Sequence, residues 1–284
     1  MDEITIKSPA KINLGLNVIR KRSDGFHDIE TVFYPLLLSD ILKIKKSSKN
    51  NFTSNSDELN SKKDNLILSA KTLIEKTFKK KLNVEIILEK NIPIGGGLGG
   101  GSSNAALTLI GLNRLFNLNL SFTELSDLAL ELGSDVPFFL NPQPSYAESR
   151  GEKLSPVPIA INYPILLINP GINISTSWAF SEITPTKPEF RIKEIFSEVE
   201  NDFKSLKNKL KNDFENIVFK KYPEIEKIKI NLYELGADFA MMSGSGSSVY
   251  GIFNNLQKAS YAEDYFKLKY FTYLNNPFTE GSFT

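Results

Sequence analysis

Cysteine is absent from this 284-residue chain, and histidine occurs once, as His27. Without thiols there is no disulfide framework, no thiolate metal site and no cysteine nucleophile. A single imidazole likewise excludes a metal centre built on several histidines. Charge of one sign is also missing: 34 Lys and Arg against 33 Asp and Glu leave a net charge of +1. The charges are interspersed, so no broad field for nucleic acid or an acidic membrane surface is expected. No apolar run reaches about 18 residues and no signal-like segment opens the chain, which predicts a cytoplasmic protein that neither spans a membrane nor is secreted by the usual route. Without such a signal, the sequon Asn51-Phe52-Thr53 carries no consequence.

What is abundant is glycine in one place. Asn91-Ile92-Pro93-Ile94-Gly95-Gly96-Gly97-Leu98-Gly99-Gly100-Gly101-Ser102-Ser103 holds six glycines within seven positions and runs into an apolar, helix-forming stretch from Asn104 to Phe116. Glycine removes the Cβ that blocks positive φ and close backbone approach. A glycine loop at a helix N-terminus aims unpaired N–H groups and the positive dipole end at one spot, which suits phosphate. The spacing Gly95-x-Gly97-x-x-Gly100 fits the dinucleotide fingerprint, but no second strand with an acidic end follows about 20 residues on. The P-loop pattern fails because no Lys follows the last glycine. A linker is the bland alternative, and the apolar strand Val84–Leu88 before the loop argues against it.

The length suffices for one large or two medium domains with real cores. Lys11 to Val18 alternates with period two, as a half-buried strand does. Further strands are expected at 29–38 and 41–44, and the polar stretch 45–64 reads as a solvated loop. A helix capped by Asp64 or Asn65 should run to about Lys80, and another should start at Ser121 or Thr123. Strands at 82–89, 145–149 and 165–169 and helices at 176–182, 201–218 and 223–235 complete the reading. Two more strands flank Met242-Ser243-Gly244-Ser245-Gly246-Ser247-Ser248. The Pro-rich stretch 155–164 marks the expected boundary between a domain of residues 1–157 and one of 158–284. Strands and helices intermix without regular βαβ alternation, so the fold class is α+β.

Several residues admit two readings. Lys11 and Asn13 lie on the polar side of their strand, which is either an ordinary solvent face or the low-bulk wall of a cleft. Asp135, in Gly133-Ser134-Asp135-Val136-Pro137, is either a turn or capping carboxylate or a general base. His27, between Phe26 and Asp28, suits a base or a stacking turn. Gly244-Ser245-Gly246 is a second glycine loop or a plain tight turn. No Gly-x-Ser-x-Gly elbow suggests a hydrolase.

Together these pieces resemble a known family. Pro9-Ala10-Lys11-Ile12-Asn13-Leu14-Gly15-Leu16, the glycine loop through Ser103, Gly133–Phe138 and Met242–Val249 arrive in the order of the GHMP kinase motifs. Lys21-Arg22-Ser23-Asp24-Gly25-Phe26-His27 narrows the resemblance to the 4-diphosphocytidyl-2-C-methyl-D-erythritol kinase family. Phe26 stands where the family often has Tyr, and Ser243 and Ser245 where it commonly has Thr. The resemblance implies an α+β GHMP kinase fold: a ribosomal protein S5 domain 2-like ATP-binding domain with a left-handed crossover, then a ferredoxin-like domain. It implies ATP and Mg²⁺, a small-molecule acceptor carrying cytidine diphosphate, a place in the MEP route to isoprenoids, and a monomer or weak homodimer without nucleic-acid or membrane partners. It assigns Lys11 and Asp135 to catalysis. Pro93, Ile94, Gly95, Gly96, Gly97, Leu98, Gly99, Gly100, Gly101, Ser102 and Ser103, with Asn65 and Lys90 near adenine, fall to ATP. Asn13, Phe26, His27, Thr176 and Phe180 fall to the acceptor, with Phe26 and Phe180 sandwiching cytosine; no metal ligand is assigned beyond a contact from Ser102 or Ser103 to metal or phosphate. Competing readings are a GHMP kinase for homoserine or mevalonate, an NAD-dependent oxidoreductase, and an inactive nucleotide-binding module.

Overall fold

Two long strands open the chain: β1 (Glu3–Lys21) and β2 (His27–Lys46), which pair with each other. The computed structural model describes residues 1–61, 65–198 and 203–277. These form two compact units, and the chain is threaded through both. The first gathers Met1–Ala10, Leu38–Ile92 and Gly99–Pro142; the second gathers Lys11–Leu37, Pro93–Leu98 and the chain from Gln143 onward.

In the first unit, β3 (Asn51–Ser54) and α1 (Asp57–Ser61) precede α2 (Leu66–Phe78), β4 (Val84–Glu89), α3 (Gly100–Leu115) and α4 (Phe122–Leu132). The end of β2 pairs antiparallel with β4, Ile41 opposite Glu89 and Lys46 opposite Val84, and β3 joins β4 in parallel. The helices start where the sequence supplies acceptors for orphan N–H groups. Asn65 Oδ1 accepts from the Leu68 N–H at 2.9 Å, and Ser121 forms a capping box with Glu124. Ile67, Ala70 and Ile74 of α2 and Ala105, Leu109 and Leu112 of α3 are buried, and α2, α3 and α4 pack on one another.

In the second unit, the start of β2 pairs antiparallel with β5 (Ser145–Ser149), which forms a hairpin with β6 (Lys153–Pro156). There follow β7 (Ile165–Asn169), α5 (Thr176–Glu182), α6 (Ile192–Glu198), α7 (Phe203–Leu206), α8 (Glu215–Lys221), α9 (Pro223–Glu234), β8 (Phe239–Met242), β9 (Val249–Ile252), α10 (Leu256–Phe266) and β10 (Phe271–Asn275). The order β10-β7-β9-β8, antiparallel throughout, is the split βαβ arrangement of a ferredoxin-like sheet. Its core joins Leu166 and Ile168 to Ala240, Met242, Ile228 and Leu232. The expected α+β class holds.

Three expectations fail locally. The strands expected at 29–38 and 41–44 are one strand, because β2 passes Ser39 and Asp40 without a turn. The polar stretch 45–64 contains β3 and α1: β3 is held by backbone ladder bonds to β4, which need no apolar side chains; residues 62–64 lie outside the described set. The single helix expected at 201–218, whose first two residues also lie outside it, is α7 and α8 with a break between them. Asn212 makes that break. Its Nδ2 donates to the carbonyls of Met242 and Gly244, both at 2.8 Å, and its Oδ1 accepts from the Phe214 N–H. The flanking backbone bonds Leu16 instead of continuing a helix.

Candidate active site

The glycine run starts α3 earlier than expected, at Gly100, with Gly99 as N-cap. Positive φ recurs at Gly95 (67°), Gly97 (75°) and Gly99 (70°). Such alternation turns successive N–H groups to one side, as in an anion-binding nest. The carbonyls turn the other way. Gly96 O accepts from Ser248 N–H, Gly97 O from the Ser243 hydroxyl and Leu98 O from Lys11 N–H, at 3.1, 3.0 and 2.9 Å. The N–H groups of the first turn of α3, at Gly100, Gly101 and Ser102, have no intrahelical acceptor by geometry.

Gly97 is the tightest point. A Cβ there would sit 2.2 Å from the Ser243 carbonyl oxygen, whereas one at Gly101 meets only Leu66 Cδ1 at 3.6 Å. We expect Gly97→Ala to lower nucleotide affinity by about tenfold and stability by roughly 1–3 kcal/mol, while Gly101→Ala does neither. Calorimetric titration and urea unfolding measure both; equal behaviour of the two variants would show that the loop's backbone placement is unimportant.

In the second unit Lys11 and Asn13 are 4% and 1% exposed, so their strand face is not a solvent face. Lys11 Nζ donates to Asn13 Oδ1 at 2.6 Å and lies 5.0 Å from the Phe33 ring centre. Asn13 is fixed in turn: its Nδ2 donates to Thr31 Oγ1 at 2.9 Å and its N–H to Ser243 Oγ at 3.3 Å. The second glycine loop therefore contacts both the first loop and the Lys11 strand. Its Ser245 hydroxyl lies 3.1 Å from Thr176 Oγ1. Thr176 and Phe180 share a face of α5, one turn apart. Phe180 stacks on His27, with ring centres 5.0 Å apart and planes at 22°, and meets Phe214 edge-on. Burial, with the nearby Lys21 charge, holds the His27 pKa below its usual 6.5. Phe26 is 48% exposed, with the Arg150 guanidinium 4.3 Å from its ring centre. Beside this turn opens a cavity of about 630 Å³, whose lining includes Arg22, Asp28, Glu30, Ser149 and Arg191.

In the first unit Asp135 is half-buried in the turn between α4 and the short 3₁₀ turn Pro137–Leu140. Asn65, 7% exposed, keeps a buried Nδ2 with no hydrogen-bond partner among the described residues. Lys90 Nζ pairs with Asp40 at 2.6 Å, and a Cβ on Gly100 would come within 3.0 Å of it. Burial pushes the Lys90 pKa down against the pull of Asp40. Asp40 is fully buried and also accepts from the N–H groups of Asn91 and Ile92 and from Asn104 Nδ2. Asn104 donates as well to Ser8, whose hydroxyl donates to Ser103 at 2.8 Å. Sequence reasoning missed Asp40, and its signal was there: a carboxylate inside the apolar run Tyr34–Ile44.

Profiles for the GHMP kinases N terminal domain and the GHMP kinases C terminal domain match residues 65–142 and 192–271. The 4-diphosphocytidyl-2-C-methyl-D-erythritol kinase of Bacteroides thetaiotaomicron is 46% identical over 250 residues, covering 86% of this chain and 90% of its own length. A crystal structure of 4-(cytidine 5'-diphospho)-2C-methyl-D-erythritol kinase superposes with a TM-score of 0.80 at 30% identity, over 95% of this chain and 98% of the other. Homoserine kinase from Cytophaga hutchinsonii, at 17% identity and a TM-score of 0.69 over 97% and 95% of the two chains, shares the fold alone.

Proposed function

This chain belongs to the 4-diphosphocytidyl-2-C-methyl-D-erythritol kinase family of GHMP kinases, and on that premise we propose that it transfers the γ-phosphoryl group of ATP to the 2-hydroxyl of 4-diphosphocytidyl-2-C-methyl-D-erythritol, in the MEP route to isoprenoids. One observation of the fold carries the acceptor half of this reading. Within one unit Lys11 bonds Asn13 and Asn13 bonds Ser243; Ser245 of the same loop meets Thr176, and Phe180, one turn along α5 from Thr176, stacks on His27.

Phosphoryl transfer asks a protein mainly for positioning and charge stabilisation. The N–H groups at the start of α3 cradle the phosphates. The unpaired Asn65 Nδ2 donates to an adenine ring nitrogen, and Lys90 adds its charge beside Gly100. Asp135 accepts the proton of the acceptor hydroxyl as its oxygen attacks the γ-phosphorus and ADP departs with the bonding pair. Lys11, whose ammonium is aimed by Asn13, steadies the transferring phosphoryl group with its charge. Among the described residues no three His, Asp or Glu side chains cluster as a metal site. Mg²⁺ would arrive on the nucleotide with its own waters and would neutralise phosphate charge. Ser103 is buried and accepts a hydrogen bond from Ser8, which leaves the half-buried Ser102 as the hydroxyl that would serve metal or phosphate. Among the described residues no helix is long and apolar enough to cross a membrane.

The test is ATP consumption with a panel of acceptors: the cytidine diphosphate alcohol, homoserine and mevalonate. Turnover with the first alone is expected; turnover with either of the others would overturn the acceptor. The depressed pKa of His27 adds a pH signature. Neutral His27 both donates and accepts a hydrogen bond, as a cytosine edge requires. The acceptor KM should therefore stay flat from neutral pH down through 6.5, where a free imidazole titrates, and rise only in more acid solution. Because the unfolded chain binds this proton first, the associated stability is also lost as pH falls through the folded value. A KM that rises already at pH 6.5 would refute a neutral His27.

A further inference from the structure

The Phe26 turn is held by backbone and side-chain bonds. Arg22 N–H donates to the Phe26 carbonyl at 2.8 Å, and Phe26 N–H to Asp24 Oδ1 at 3.1 Å. The Arg22 guanidinium reaches Asp24, Asp28 and, at 3.0 Å, Ser149 Oγ at the end of β5. That last bond ties the β5–β6 turn to the Phe26 turn. The β5–β6 turn is itself tight, with Gly151 N–H on the Glu148 carbonyl and Arg150 N–H on Glu152 Oε2. The next side chain after Ser149 is Arg150, and its guanidinium stands over the Phe26 ring at 4.3 Å. Among the described residues Arg150 forms no ion pair within 4.0 Å, unlike Arg20, Arg22 and Arg191, although its charge acts on Asp24 across the turn. An aromatic ring has two faces. Arg150 covers one, and the residue as a whole remains 48% exposed.

We propose that Arg150 is a positioning residue for acceptor specificity, holding Phe26 by one face so that the other receives the planar base of a cytidine diphosphate ligand. This rests on the reading above that Phe26 belongs to the acceptor site. A cation over an aromatic face is held by the ring quadrupole, and a base on the opposite face uses the sequence-tolerant stacking that aromatic platforms offer. An exposed phenylalanine otherwise samples several rotamers, and each must be given up on binding. Arg150 removes that loss before the ligand arrives. Its effect belongs to ground and transition states alike, so it falls on KM and leaves kcat unchanged.

The experiment is calorimetric titration of cytidine diphosphate into the wild type, Arg150→Ala, Arg150→Lys, Phe26→Ala and the Phe26→Ala/Arg150→Ala double variant, with steady-state kinetics alongside. Expected are a roughly three- to tenfold weaker cytidine diphosphate affinity and higher acceptor KM for Arg150→Ala, substantial rescue by Arg150→Lys, and unchanged kcat, ATP KM and melting temperature. The double variant should match Phe26→Ala, since nothing remains to position. Additive losses, or no loss in Arg150→Ala, would overturn the positioning role. A parallel fall in ATP affinity or melting temperature would overturn it as well, by marking a structural residue. If Phe26→Ala binds cytidine diphosphate normally, the placement of the base on Phe26 fails, and that outcome is distinct from the others.

Discussion

Asp135→Asn is expected to lower kcat by about 10²–10⁴, the usual range for loss of a general base, while ATP affinity changes little. The amide keeps the size and turn-forming capacity of the carboxylate, and Asn is as good a turn residue as Asp. The turn between α4 and Pro137–Leu140 should therefore survive, with its backbone bond from Val136 N–H to the Gly133 carbonyl intact. What the amide lacks is a basic oxygen for the hydroxyl proton. A purely structural Asp135 gives the opposite pattern: near-normal kcat and a lower melting temperature. Single-turnover measurements with saturating ATP separate the two, because they read the transfer step free of product release. An Asn variant that turns over within a few fold of the wild type would sink the assignment.

Asp40→Ala should be strongly destabilising, at about 3–5 kcal/mol. The substitution leaves the buried ammonium of Lys90 without its partner at 2.6 Å, and leaves the N–H groups of Asn91 and Ile92 without their acceptor. Burial already disfavours the charged form of Lys90 and Asp40 opposes that shift, so removing Asp40 lets the lysine neutralise at lower pH. The double variant Asp40→Ala/Lys90→Met removes the stranded charge and should recover a substantial part of the loss. Urea midpoints of the two variants decide it. A double variant as unstable as the single one would mean that the cost comes from the orphaned N–H groups and the cavity, not from the charge. The same network reaches Ser103 through Asn104 and Ser8, so its loss should also weaken ATP binding.

The chemistry-bearing loops were legible in the sequence because glycine and hydroxyl residues have few other reasons to cluster. Local signals also placed α5 at 176–182 and the β5 and β7 strands. The period-two pattern from Lys11 to Val18 identified a strand but not its surroundings. Alternation reports that two faces differ, and here both are buried, the polar one around Lys11 and Asn13. The break at 207–214 was illegible because Asn212 ends the helix through partners some 30 residues away, Met242 and Gly244. The stacking of His27 on Phe180 and the cover that Arg150 gives Phe26 are likewise long-range contacts that no local pattern encodes. Asp40 was passed over because it was read as a gap between two strands; a buried carboxylate in mid-strand requires partners, and four were waiting.

The bond from Asn13 N–H to Ser243 Oγ spans 230 positions. A ribosome adding roughly 5–20 residues per second therefore exposes the Lys11 strand for roughly 10–50 s before the loop that secures it has been made. During that interval the apolar side chains Ile12, Leu14, Leu16 and Val18 have no finished core, and the same holds for Leu16 until Lys211 and Asp213 emerge to bond its backbone. Completion of this contact is thus a late step in making the second unit, coming some 230 residues after the strand that it secures.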